Sequence, residues 1–200
     1  MEIQLKDITL NEEMSDKTTA FYATLVINGI NAGFTGNGGC GEKTFYRSMN
    51  YAGQRLISDA ERFCASLPPK VYPPADPKGR PLIVKMTLQV LIDGLLYNHL
   101  VQHDLTVFKI EVEKEMMNGI VFGIPDKEYQ VMKYTTSLDI LCRHQQGREA
   151  IKRDIHSKVL PQLQGARVIL NTNITETVKA FFDLPIGSWV VEGLASEVNG

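Results

Sequence analysis

The strongest local constraint is the dipeptide Asn28-Gly29, set between Ala20-Phe21-Tyr22-Ala23-Thr24-Leu25-Val26-Ile27 and Ile30-Asn31-Ala32-Gly33-Phe34. A two-residue connection between antiparallel strands needs positive φ at both positions, which Asn and Gly accept at least cost. The flanking runs are rich in aromatic and β-branched residues, which suit a pleated, half-buried surface. Upstream, Ile3, Leu5 and Ile8 alternate with polar neighbours over residues 2–10. The N-terminal third is therefore expected to start as an antiparallel β-meander.

The rest of the chain is mixed. Asn50 to Leu67 carries Leu56, Ala60, Phe63, Cys64 and Leu67 at helical spacing, and Pro68-Pro69 ends the helix. Residues 68–81 hold six of the nine prolines and are expected to run extended as a surface loop, a lid or a link between lobes. A long, well-buried helix is expected from Ile83 to about Asp104, with its Leu82–Val101 stretch central to the fold. Residues 105–118 fit either period, and their strong helix formers favour helix. Ile120–Ile124 and Glu128–Tyr134 read as strands around a turn at Pro125-Asp126-Lys127. Helices are expected over 137–144 and 147–162, broken around Gln146-Gly147, and over Thr175 to Asp183. Arg167–Leu170 and Ser188 to Leu194 read as short strands.

The expected fold is α+β. An antiparallel sheet begun by the N-terminal meander, extended by residues 120–134 and 188–194, packs against four or five helices. Two hundred residues form a single domain, in which the Pro-rich segment 68–81 could separate lobes 1–67 and 82–200.

Composition narrows the function classes. Net charge is −2 and charged residues make up 22%, which excludes a supercharged nucleic-acid binder and a disordered chain. Three scattered cysteines, Cys40, Cys64 and Cys142, fit reduced thiols rather than a disulfide framework. The start, Met1-Glu2-Ile3-Gln4-Leu5-Lys6-Asp7, has no secretory pattern, so a cytoplasmic location is expected. Lys85, Gln89 and Asp93 interrupt the most apolar stretch, so no membrane association is expected.

Three groups of residues could carry chemistry. The first is Gly36-Asn37-Gly38-Gly39-Cys40-Gly41-Glu42-Lys43-Thr44. Glycines let successive backbone N–H groups converge on an anion, and Lys43 and Thr44 add a cation and a hydroxyl. It is not a P-loop, because Glu42 separates Gly41 from Lys43 and the preceding strand belongs to a hairpin. The second group is His99 and His103, at the i, i+4 spacing that could share a metal with Asp93 or Asp104. Leu100 follows His99, so the zincin pattern fails. The third is residues 143–158, with five Lys or Arg against two acids. Arg148, Lys152 and His156 follow at four-residue steps and suit phosphate or an acidic surface. Each group also has a plain reading: a connecting loop, a polar helix face, a solvated charge run. The basic run has no interleaved aromatics, which speaks against duplex nucleic acid. No nucleophile elbow, Cys-x-x-Cys pair or paired carboxylates stand out, and no cofactor is implied.

The hairpin Phe21–Gly29, with Ala32-Gly33, Gly36-Asn37-Gly38-Gly39 and the later Ile169-Leu170-Asn171-Thr172-Asn173, is similar to a family of small uncharacterised proteins of Bacteroidetes genomes and their phages. The resemblance implies a context, a phage-encoded accessory protein in a host cytoplasm, and transfers no residue role.

Two function classes follow. The first is a non-catalytic binding protein that sequesters a small phosphorylated ligand, such as a nucleotide immune signal. Its binding set would be Gly38, Gly39, Gly41, Lys43, Thr44, Arg148, Lys152 and His156. The second is an inhibitor or accessory protein that acts on a host defence protein through the Pro-rich segment and the hairpin edge. A metal-dependent hydrolase using His99 and His103 ranks below both. Exposed hairpin edges and a proline-rich arm also lead to the expectation of a homo-oligomer.

Overall fold

A computed structural model of the chain describes residues 1–74 and 78–190. It divides into two compact units, Met1–Val101 and Gln102–Gly200. The fold is α+β, as the residue pattern predicts.

The first unit opens with a four-stranded antiparallel meander in the order β1-β2-β3-β4. The strands are β1 (Ile3–Leu10), β2 (Phe21–Ile27), β3 (Ile30–Asn37) and β4 (Phe45–Ser48). Asn28 and Gly29 take φ of 50° and 78°, the left-handed pair that the β2–β3 turn requires. β1 carries an extra residue between Lys6 and Thr9, with Asp7 at φ 51°. This bulge turns Lys6 and Asp7 outward together and returns Ile8 and Leu10 to the core side.

The inner face of the sheet holds Phe21, Ala23, Leu25, Ile27 and Ala32. Helix α1 (Tyr51–Ser66) covers it with Ile57, Ala60 and Cys64. Asn50 caps α1 by accepting from the Gly53 N–H at 2.9 Å. Helix α2 (Leu88–Met116) adds Leu88, Ile92 and Leu96, one stripe at four-residue steps.

The boundaries around α2 correct the sequence reading. Leu82-Ile83-Val84 is not helical. It forms β6 (Leu82–Val84), which pairs antiparallel with β5 (Lys70–Tyr72) inside the Pro-rich stretch. The helix starts after Thr87, whose hydroxyl accepts from the Val90 N–H at 3.2 Å. Apolar residues dominate on both sides of Lys85, so the capping threonine is the local mark of the change. Further on, residues 105–116 continue the same helix, and Asn118-Gly119 ends it. The unit boundary falls within α2.

In the second unit β7 (Gly119–Ile124) is the centre of its own three-stranded antiparallel sheet, ordered β8-β7-β9. The partners are β8 (Glu128–Lys133) and β9 (Val168–Ile169). These strands therefore do not extend the N-terminal sheet. β7 is buried on both faces. Ile120 and Phe122 join one apolar cluster, and Val121 joins another with Val112, Met116 and Leu170.

Helices α3 (Leu138–Arg143) and α4 (Gln145–Asp154) break at His144, two residues before the expected point. A π-turn over Ile155–Val159 and a short 3₁₀ turn, Leu160–Gln162, continue α4. Its Ile151, Ile155 and Val159 are fully buried, together with Phe182 of helix α5 (Glu176–Phe182). Of the expected strand over 188–194, Trp189 forms a parallel bridge to Ile169, and residues 191–194 lie outside the described residues.

Asn171 bonds β7 on the side opposite β8, beyond the two residue pairs that β9 makes with it. Its Oδ1 accepts from the Val121 N–H at 2.7 Å, and its Nδ2 donates to the Gly119 carbonyl at 3.0 Å. Asn173 donates to the Met116 carbonyl at 2.8 Å, so it ties the end of α2. The Leu170–Asn173 motif thus serves as a side-chain substitute for a strand ladder.

Candidate ligand-binding face of the N-terminal sheet

The glycine loop leaves β3 and returns to β4. Its left-handed residues are Gly39 and Gly41, at φ 93° and 96°. The loop does cradle an anion, and the anion is the protein's own. The Glu42 carboxylate accepts from the Gly38 N–H and, at 3.0 Å, from the Cys40 N–H. The Gly39 N–H goes to Asn37 Oδ1 at 2.8 Å, and the Gly41 N–H to Thr18 Oγ1 at 3.3 Å. Glu42 is held below the usual carboxylate range. Its own backbone N–H lowers it most, burial opposes, and the Gly38 and Cys40 N–H groups add to the lowering. Thr44 is buried and donates to Asp93 at 2.6 Å, a bond that fixes the loop's exit to α2. Lys43 alone of the loop's expected ligand side chains is exposed and makes no side-chain bond among the described residues.

The basic residues lie in the second unit and are spent on internal ties. Arg148 donates to the Cys142 carbonyl at 2.7 Å, which closes the end of α3. Its guanidinium and the Lys152 ammonium each lie 5.6 Å from the centre of the Phe181 ring. Lys152 also stands 4.0 Å from Asp183, and His156 Nε2 bonds the Phe182 carbonyl at 2.8 Å. The four-residue spacing is therefore read by α5. His99 and His103 both lie on α2, and His103 Nδ1 is 3.6 Å from Asp104. No three His, Cys, Asp or Glu side chains gather as a metal-ligand group among the described residues. Burial pushes the Cys64 thiol up. It does the same to Cys142, where the Arg148 charge partly opposes it.

The outer face of the N-terminal sheet carries a group that the motif search passed over. Register places Tyr22, Gly36 and Phe45 in one cross-strand row, and Lys6, Thr24, Phe34 and Arg47 in the next. Tyr22 and Phe34 stack at 5.6 Å with planes 25° apart, and Phe45 meets Phe34 edge-on at 6.5 Å. Gly36 makes room for this: a Cβ there would lie 3.2 Å from the Phe45 ring. The Arg47 guanidinium sits 5.8 Å from the centre of the same ring. Tyr22 remains 50% exposed and Phe45 40%, so neither ring is there to fill a core.

Alternation decides which neighbours join this face. Tyr46 points the other way and donates to Glu61 of α1 at 2.7 Å. Burial first, then that carboxylate, push its hydroxyl up to about 12. Phe45 and Arg47 therefore share the outer side, and Lys43 is exposed in the loop that leads into β4. Asp7 adds a carboxylate to this face and accepts from the Thr24 hydroxyl at 3.3 Å. The sequence signal was available as Tyr-x-Thr, Phe-x-Gly and Lys-x-Phe-x-Arg at period two. It stays hidden in the sequence because Phe45–Ser48 is too short to stand out as a strand before its pairing with β3 is known.

No family model, no curated protein and no solved structure matches the chain. Among the described residues no helix is long and apolar enough to cross a membrane.

Proposed function

We propose that the chain is a non-catalytic binding protein whose ligand carries a planar ring system and phosphate, as a nucleotide does. The site is the outer face of β2–β4 rather than the glycine loop. One observation carries the reading: three aromatic rings stand on the outer face of the sheet, flanked by Lys6 and Arg47. An exposed ring offers a base its π-face, and a cation beside it offers the phosphate a charge-assisted contact. The glycine loop serves this face indirectly. Glu42 and Thr44 hold it closed, which fixes the entry into β4. Titration calorimetry with adenosine and uridine 5′-monophosphates tests the reading. Saturable binding that is lost in Tyr22→Ala and Phe34→Ala supports it, and no heat with either nucleotide or with short oligonucleotides counts against it.

A second reading has its own observation. The β5–β6 hairpin exposes Val71, Leu82 and Ile83 at about 60% each, which suits a protein partner. A stoichiometric partner that is captured by the full chain and released by Val71→Glu would favour it.

A further inference from the structure

We propose that the ligand of the outer sheet face is a single-stranded nucleic acid, laid across β2, β3 and β4 with successive bases on Tyr22, Phe34 and Phe45. This rests on the nucleotide reading above and goes further, to the polymer.

Extent is the first argument. The three rings come from three adjacent strands, with centroids 5.6 and 6.5 Å apart in sequence. One mononucleotide has one base and would leave two rings bare. The row Lys6–Thr24–Phe34–Arg47 crosses four strands, and at about 4.8 Å per strand its cations stand about 14 Å apart. Cations at both ends of this row, beside the three rings, match a ligand that alternates bases with phosphates.

Chemistry is the second argument. Ring faces read any base, because every base has a π-face, and an unpaired strand exposes those faces. A duplex keeps its bases stacked on one another, where an open sheet cannot reach them. The polar groups on the face are few. Thr24 and Asp7 bond each other, so they offer little edge-specific readout. Binding is therefore tolerant of sequence. With Lys6 and Arg47 facing the backbone, log K should fall against log salt with a slope of about −1.4, at roughly −0.7 per phosphate neutralised. This is compatible with a chain of net charge −2, because stacking rather than charge density carries the affinity.

Fluorescence anisotropy of the full chain with labelled thymidine and uridine oligonucleotides of one, two, four and eight residues tests this, with an eight-base-pair duplex alongside. Affinity is expected to climb with length up to about four residues and then level off. The duplex should bind at least tenfold more weakly than the octamer. Tyr22→Ala and Phe34→Ala should each weaken octamer binding by roughly five- to a hundredfold, and Phe34→Leu keeps an apolar side chain should the alanine variant fold poorly. A mononucleotide that binds as tightly as the octamer overturns the polymer and leaves the nucleotide reading standing. Equal affinity for duplex and single strand, or unchanged affinity in all three variants, overturns the polymer as well. No binding by any of these species removes both.

Discussion

Asn171 shows how one side chain can do the work of a strand. It is fully buried and satisfies one donor and one acceptor of β7. Asn171→Ala leaves both groups buried and unpaired, at a cost of about 2–3 kcal/mol in chemical denaturation. Tyr134 presents the reverse case. Its hydroxyl is buried beside Asp154 with no well-formed hydrogen bond among the described residues, and burial first, then the Asp154 carboxylate, push its ionisation up. Tyr134→Phe removes that group and is expected to hold or raise stability, by up to about 1 kcal/mol. Glu42 gives a pH signature. Its folded value lies below its ordinary value of 4.5, so its contribution is complete above about 4.5 and disappears as pH falls through the lower folded value. The Gly38 and Cys40 amide resonances should shift together over that acid range, and Glu42→Gln should abolish the step. None of these three roles shows in a sequence, because each depends on what lies across the fold. The Asn-x-Asn pattern was visible as a motif, but its use as a strand substitute was not.

Elements differ in how far local chemistry determines them. The β2–β3 hairpin was legible because Asn28-Gly29 leaves one inexpensive turn, and α1 because Asn50 and Pro68 bracket its periodic stripe. β7 was legible as a continuous apolar run, which is what burial on both faces demands. β4 was not: Phe45-Tyr46-Arg47-Ser48 is short, and its strand state comes from pairing with β3. The start of α2 was missed because β6 is as apolar as the helix that follows. Thr87→Ala should cost about 1 kcal/mol by removing the cap. Gly53 separates propensity from packing. Alanine is the better helix former by up to about 1 kcal/mol. Its Cβ would stand 2.1 Å from the Ala32 carbonyl oxygen of β3, backbone that cannot move aside cheaply. Gly53→Ala is therefore expected to destabilise by about 1–3 kcal/mol, as overpacking does. A higher melting temperature in this variant would contradict the close α1–β3 approach.

At the scale of the whole chain, the expected site and the proposed one part company over how side chains are spent. Lys43 stays exposed in the loop before β4 and makes no side-chain bond among the described residues. Gly38 and Gly39 are committed to Glu42 and Asn37, Gly41 to Thr18 and Thr44 to Asp93, while Arg148, Lys152 and His156 are committed to α5. Motif reasoning found groups able to meet a phosphate. It could not see that Glu42 and Phe181 reach them first, since neither pairing follows from spacing alone. The aromatic row needed the register of four strands before it became a surface. The central claim is that this sheet face is where the ligand binds. Amide chemical-shift mapping of the full chain, titrated with a thymidine octamer, tests it most directly. The account predicts shifts concentrated at Tyr22, Thr24, Phe34, Phe45 and Arg47, with Arg148, Lys152 and His156 unmoved. Shifts confined to those three basic residues, or none at any ratio of octamer to protein, would contradict it.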